Sequence, residues 1–187
     1  MLAIAYIFVY IIRFGTEDWL VKYLVEVKGN TLTMASSKLS SLALVGAFGA
    51  ILAGIISDKI YKGNRTPINI VFLICLILSL LAFACNEISA MDYVYAAMIG
   101  MFTSGPQMLI GGLCAVESSS KKVASASIGF TGVFGYVGAA LSSGGTGFVV
   151  DKFGWNGAIA FWMVSTMICV VICTILLIYE KRRKKTT

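Results

Sequence analysis

Arg13 is the residue whose type and position point most directly to chemistry. Residues 1–12 carry no charged side chain. At about 1.5 Å per helical residue they form about 18 Å of apolar helix before Arg13. This length is more than half of a hydrocarbon core of about 30 Å. Burial at that depth costs at least about 2.5 kcal/mol, so we expect Arg13 to face a wet cavity or an anionic partner. Its planar fork of donors matches two oxygens of a phosphate or carboxylate. Arg13 is therefore predicted to bind an anionic ligand; the alternative is a structural ion pair with Glu17 at i+4.

Three further side chains are predicted to surround the same ligand. Tyr10 precedes Arg13 by three residues and shares its helical face, so both are expected to line one cavity. Asp18 lies one residue beyond the i+4 position and faces partly away; Lys22 or another helix is its expected partner. Tyr136 lies in the middle of a glycine-rich apolar segment, where its phenol offers a hydrogen bond to a central ligand; the alternative is a packing aromatic.

Residues 103–107 read Thr-Ser-Gly-Pro-Gln within an apolar segment. A Gly-Pro pair loosens a helix and frees carbonyls, which membrane helices tolerate beside a cavity or a neighbouring helix. Gly105 and Pro106 are therefore predicted to form a kink or gating point. Gln107 follows directly and is a candidate ligand contact.

A second conformational element is predicted at residues 54–65, which begin with Gly54 and end with Arg65. Gly54 is expected to let two helices approach closely. Asp58, at a helix end, is expected to pair with Arg65 or with a neighbouring helix terminus. Such a latch would break when two halves of a protein rock against each other; the alternative is an ordinary charged loop.

The composition limits the class of protein. Hydrophobic residues make up 58% of the 187 residues and charged residues 13%, which is typical of a membrane protein rather than a soluble domain. The net charge of +6 is interpreted as a topology signal, not as nucleic-acid binding. Histidine is absent and no two of the five cysteines form a C-x-x-C pair, so no metal or other cofactor is predicted. No nucleophile–base pair or phosphate-cradling loop indicates an enzyme.

Six apolar segments are long enough to cross a membrane. They lie at approximately 1–24, 36–56, 67–86, 92–114, 123–149 and 156–179. The sequence therefore predicts an all-α membrane protein with six transmembrane helices over 1–180 and a basic tail, 181–187. Ten Lys and Arg residues follow the even-numbered segments and four lie on the opposite side, which predicts that both termini are cytoplasmic.

Taken together, these segments resemble the organophosphate:inorganic phosphate antiporter family of the major facilitator superfamily, which includes bacterial glycerol-phosphate and hexose-phosphate transporters. The matching stretches cover nearly the whole chain in order: 10–19, 54–65, 105–111, 129–136, 153–157 and 179–183. The chain looks like the C-terminal half of such a transporter, spans seven to twelve of twelve.

The resemblance assigns roles to several residues. The family binds phosphate with one arginine from the first span of each half, and Arg13 matches the second-half arginine. Tyr10 and Tyr136 match tyrosines that line the family's central pore, and Asp18 matches an acidic position.

The chain also departs from the family pattern. Ser104 stands where glycerol-phosphate transporters have a pore tyrosine, and Ala43 stands where they have a glutamate. The residues around Gln107 are closer to the hexose-phosphate branch.

The function implied by the resemblance is exchange of an organic phosphate, glycerol 3-phosphate or hexose 6-phosphate, for inorganic phosphate across the cytoplasmic (inner) membrane. The N-terminal six-span half, with its own arginine, is missing from these residues and is the expected protein partner. Coupling is expected because an empty cationic site disfavours crossing the low-dielectric barrier. Two alternatives are a membrane sensor of external sugar phosphate and a non-functional fragment of a truncated gene.

Overall fold

The structure is a computed structural model that describes residues 1–114 and 123–186, apart from the side chains of 113, 114, 124 and 183–186. Lys121 and Lys122, counted above as cytoplasmic charges, lie outside the described residues, as do the side chains of 183–185 in the basic tail. The described residues contain five α-helices, one π-helical segment and no strand. They are α1 (Leu2–Glu26), α2 (Leu32–Lys59), α3 (Thr66–Cys85), α4 (Met91–Met108), the π-helical segment (Leu109–Cys114) and α5 (Ala124–Thr186). The predicted all-α class is confirmed.

Local sequence explains several helix boundaries. The Thr31 hydroxyl accepts a hydrogen bond from the backbone N–H of Met34 at 3.4 Å and caps α2, which satisfies one of the unpaired donors at a helix start. Pro67 lies in the first turn of α3, where its missing N–H costs nothing. Both helices begin within a few residues of the predicted positions.

The last two predicted segments belong to one helical element, α5, which is interrupted at Gly154. Gly154 has φ 68° and ψ −172°, a backbone conformation that favours glycine. The Trp162 indole N–H donates to the Thr146 hydroxyl at 3.2 Å, although sixteen residues of straight helix would separate them by about 24 Å. The chain therefore turns back at Gly154, and limbs 124–153 and 155–186 lie side by side. This turn falls inside the connection predicted over 151–156, and the helical winding continues up to the single glycine from both sides.

Three helical stretches are long and apolar enough to cross a membrane by length and composition: Leu32–Lys59, Thr66–Cys85 and Ser125–Arg182. The last stretch contains both limbs of α5. In α1, any membrane-length window includes Arg13 together with two carboxylates. The structure is thus an apolar helical bundle.

The helices pack mainly in two pairs, α1 with α5 and α2 with α4, and α3 contacts both pairs. Small residues let the α2 and α4 backbones meet: a Cβ added at Gly49 would overlap the backbone of Met101, and one added at Gly100 would overlap the backbone of Leu42. Close approach of this kind is the usual role of glycine between membrane helices. The close approach predicted at Gly54 was wrong, since a Cβ there would meet no described atom within 4 Å.

Gly49→Ala is expected to destabilise the protein by about 1–3 kcal/mol, because the added methyl group meets backbone that cannot rotate away. Gly54→Ala is the matched control; its methyl group enters open space and the change to alanine slightly favours the helix. Thermal unfolding of both variants in detergent checks this difference. Equal midpoints for the two variants would contradict the packing described here.

Contacts across the ends of the bundle show which loops lie together. At one end, buried Lys38 donates to the Asn30 side chain at 2.9 Å and to the Ser89 hydroxyl at 2.8 Å, and it pairs with buried Asp92 at 3.0 Å. These contacts join the α1–α2 connection to the α3–α4 connection. At the other end, Thr66 at the start of α3 donates to Glu180 of α5 at 2.9 Å. Successive connections thus alternate between two ends, as an up-and-down bundle requires.

Candidate functional site

A cavity of about 540 Å³ lies between α1, α2, α4, the π-helical segment and α5. Its volume is in the range of small-ligand pockets. Small residues create much of the space: Ala43, Gly46, Ala47 and Ala50 from α2, and Gly111 and Gly112 from the π-helical segment. Ala43 and Ser104, the two departures from the family pattern, both line this cavity.

Arg13 lines the cavity and is half-buried, with 33% of its side chain exposed. Its Nε lies 3.1 Å from one carboxylate oxygen of Glu17 and donates to the other at 3.2 Å. Its Nη1 donates to the side-chain oxygen of Gln107 on α4. The structure therefore contains the i+4 ion pair offered as the alternative, but it also places the guanidinium on a cavity. Gln107 was predicted near the ligand, and the structure places it on the cavity beside Arg13.

The Gly-Pro pair is followed immediately by a change in helical winding. α4 continues through Pro106 and ends at Met108, and the Leu109 N–H faces the carbonyls of both Gly105 and Pro106. From Leu109 the chain winds as a π-helix. Proline lacks the N–H that the preceding turn would use, and π-helical turns are frequent at functional sites. The α-helix continues through Gly105 and Pro106, and the change in winding begins at Leu109; the kink or gating point at Gly105 and Pro106 stays a prediction.

Three tyrosines form a cluster beside the cavity. The Tyr6 hydroxyl donates to the Tyr10 hydroxyl at 3.3 Å, and the Tyr10 ring meets the Tyr136 ring edge-on at 6.2 Å between centroids. Of the three, Tyr6 lines the cavity, whereas Tyr136 is 69% exposed. The structure therefore brings Tyr10 and Tyr136 together without placing either of them in the cavity wall described here.

Sequence reasoning missed Tyr6 as a cavity residue. It lies four residues before Tyr10 and seven before Arg13, so the helical spacing that selected Tyr10 also applies to Tyr6. Its ring covers Gly111, where a Cβ would overlap the phenol. The same spacing rule, extended by one turn, is the signal that would have found it.

Asp18 lies away from the cavity. Its carboxylate is exposed and accepts a hydrogen bond from the Ser143 hydroxyl of α5 at 3.1 Å, which is the contact with another helix that the sequence left open. The alternative pairing with Lys22 was wrong: Lys22 lies 3.8 Å from Glu26 instead. Asp18 precedes Lys22 by four residues and Glu26 follows it by four; Lys22 pairs with Glu26.

The Asp58–Arg65 pair predicted after α2 is present, with Arg65 Nη1 3.4 Å from Asp58 Oδ1. The Asp58 side chain is 64% exposed and the Arg65 side chain 11%. The pair is therefore more accessible to water than the buried Lys38–Asp92 pair at the opposite end, and its role as a latch stays a prediction.

Apolar helices around a cavity lined by the Arg13 guanidinium are typical of a helical membrane protein. The chain belongs to the Major Facilitator Superfamily, whose family pattern matches residues 2–187. It is 38% identical over 178 residues to a probable hexose phosphate transport protein of Chlamydia trachomatis, covering 94% of this chain and 38% of that protein. It is 35% identical over 173 residues to a glycerol-3-phosphate transporter of Bacillus subtilis (91% of this chain, 39% of that protein).

A third relative has a different role. The membrane sensor protein UhpC of Escherichia coli is 36% identical over 182 residues, which is 95% of this chain and 40% of that protein. The predicted resemblance to organophosphate transporters is confirmed by these relatives. The chain spans about two-fifths of the length of the relatives it matches.

Proposed function

We propose that this chain forms the C-terminal half of a secondary transporter that exchanges an organic phosphate for inorganic phosphate across the cytoplasmic membrane. The observation that carries the proposal is the guanidinium of Arg13 on the wall of a cavity between apolar helices. An arginine in such a position is expensive unless it serves a ligand or a partner. Hexose and glycerol phosphates are the molecules named in the two transporters to which the chain is similar.

The proposal includes six membrane crossings with both termini on the cytoplasmic side. Counting the two limbs of α5 separately supports six, because the chain reverses at Gly154. Trp155, just after that reversal, donates to Glu26 at 3.0 Å, so this turn lies at the same end as the α1–α2 connection. The basic residues around the end of α2 and near the end of the second limb of α5 lie at the other end, which is the side that the positive-inside rule assigns to the cytoplasm.

The Arg13 site alone is a weak site for a phosphate monoester, which carries close to two negative charges at neutral pH. Glu17 and Arg13 are the two charged side chains among the described residues of the cavity wall, and their charges cancel. The coupling mechanism expected from an empty cationic site therefore does not operate in this half by itself. A second half that supplies a further cation would provide both the missing affinity and the rocking partner.

Phosphate counterflow tests the proposal. Proteoliposomes that contain this chain together with a six-span N-terminal half, and that are loaded with inorganic phosphate, are expected to accumulate labelled hexose 6-phosphate. They are expected to lose this uptake when internal phosphate is omitted. Hexose 6-phosphate and glycerol 3-phosphate should be compared side by side, because Ser104 and Gln107 leave the ester undecided. Uptake that does not depend on internal phosphate would contradict an exchange mechanism.

A second candidate function is sensing of sugar phosphate, favoured by the similarity to UhpC. A sensor needs the same cavity but no alternation between the two sides of the membrane. It would bind hexose 6-phosphate without counterflow. The two functions therefore give opposite results in the same proteoliposomes when binding and uptake are measured together.

A further inference from the structure

Glu17 is a charged residue of the cavity wall that the proposed exchange does not require. Both of its carboxylate oxygens lie close to the same nitrogen of Arg13, at 3.1 and 3.2 Å from Nε. Its side chain is 31% exposed and lines the cavity. The carboxylate is therefore accessible to a ligand that reaches Arg13.

The donors of Arg13 show where an anion would bind. Nε faces Glu17 and Nη1 donates to Gln107, while Nη2 has no hydrogen-bond acceptor within the part of the chain that the structure describes. The Nη2 donors are therefore the ones that an oxyanion can take without displacing Glu17 or Gln107. Because Glu17 is held on the same guanidinium, the anion comes to lie beside a carboxylate.

A carboxylate beside an anion site distinguishes ligands by protonation. An ionised carboxylate only accepts hydrogen bonds, so it is stabilised by a phosphoryl group that still carries a proton and can donate it as O–H···O. A fully ionised oxyanion such as sulfate has no proton to donate and is repelled. A hydrogen bond between O–H and a carboxylate is also among the stronger types.

We propose that Glu17 makes this site selective for a phosphoryl group that carries a proton, which means hydrogen phosphate or the monoanion of a phosphate monoester, and excludes fully ionised oxyanions such as sulfate. The inference rests on the proposed function, because it assigns a selectivity to the same Arg13 site. Gln107 holds the other edge of the guanidinium, so Glu17 and Gln107 together fix which donors of Arg13 face the ligand.

Competition between sulfate and phosphate tests this role of Glu17. The full chain is reconstituted in lipid nanodiscs, and displacement of labelled inorganic phosphate by unlabelled phosphate or by sulfate is measured. Glu17→Gln is expected to strengthen sulfate binding about tenfold relative to phosphate, because the negative charge that repels sulfate is removed. The effect is no larger because water screens charge repulsion at a partly exposed site. Glu17→Asp, which keeps the charge, is expected to keep most of the discrimination.

Glu26→Gln is the matched control, because Glu26 is also paired at i+4 on α1, with Lys22, and lies outside the cavity wall described here. It should leave the ratio of sulfate to phosphate affinity unchanged. If phosphate still binds and the ratio of sulfate to phosphate affinity is the same in wild type and Glu17→Gln, this inference is overturned and the proposed function stands. Absence of even weak phosphate binding in every variant, including wild type, would instead overturn the proposed function.

Discussion

Arg13→Lys is expected to weaken phosphate binding about 100-fold, or ~2.7 kcal/mol, which is the cost of losing one to two charge-assisted hydrogen bonds. Lysine keeps the positive charge but presents a single ammonium group in place of a planar fork. It also cannot hold Glu17 and Gln107 at fixed positions on one rigid group, as the guanidinium does. Exchange should fall with binding, so that counterflow becomes undetectable.

Equilibrium binding of labelled phosphate to the reconstituted protein measures this effect. Arg182→Lys is the matched control, because Arg182 is exposed near the end of α5 and the same chemical change occurs far from the cavity. We expect wild-type affinity for that variant. Normal phosphate affinity in Arg13→Lys would show that the charge, and not the fork of the guanidinium, is what the site uses.

Lys38→Met is expected to lower the free energy of unfolding by about 3 kcal/mol, the lower part of the range for breaking a buried ion pair. Lys38 and Asp92 are 0% and 1% exposed at their side chains, so the variant leaves a carboxylate in the interior without its closest cation. Asp92 retains a hydrogen bond from Asn86 at 2.9 Å and the more distant Lys28 ammonium at 3.8 Å. These remaining contacts keep the cost below the upper part of the range.

Unfolding in detergent should be measured for Lys38→Met, for the double variant Lys38→Met with Asp92→Leu, and for Lys22→Met. The double variant should recover much of the loss, because replacing both members of a buried pair removes the stranded charge. Lys22 belongs to an ion pair exposed by about half, and its variant should lose less than about 1 kcal/mol. Equal losses in the two single variants would contradict a structural role for the buried pair.

Local spacing made much of α1 predictable. The i+4 rule identified Glu17 as a partner of the guanidinium, and this contact is set by α1 alone. Gln107 was selected for its position after the Gly-Pro pair, but its hydrogen bond with Arg13 joins residues 94 positions apart. No local pattern specifies a contact at that separation.

The buried ion pair at the α1–α2 end was not predicted for a different reason. Lys38 is one of the four Lys and Arg residues that charge counting assigned to the side opposite the cytoplasm. Its burial depends on Asn30, Ser89 and Asp92 arriving from three other parts of the chain. Charge counting predicts the side of the membrane on which a lysine lies. It does not predict whether residues distant in sequence neutralise the charge of that lysine.

The number of glycines predicted that helices pack closely, but it did not predict which glycines lie at the close contacts. In the first limb of α5, Gly138 packs against the backbone of Ile7 on α1, whereas Gly129 and Gly132 face open space. The tightest α2–α4 contacts instead involve Gly49 and Gly100, which belong to no motif. A glycine permits a close approach, and the packing of the whole bundle decides which glycines are used.

The measurement closest to the central claim is the distance between Arg13 and bound phosphate. The protein is labelled with ¹⁵N at arginine, reconstituted in lipid with inorganic phosphate, and examined by solid-state NMR for nitrogen–phosphorus dipolar coupling, with Arg13→Lys used to assign the signal. A direct charge-assisted hydrogen bond of about 2.8 Å between nitrogen and oxygen predicts a nitrogen–phosphorus separation of roughly 4 Å at Arg13. Phosphate bound to the protein with no coupling to the Arg13 guanidinium would contradict the account.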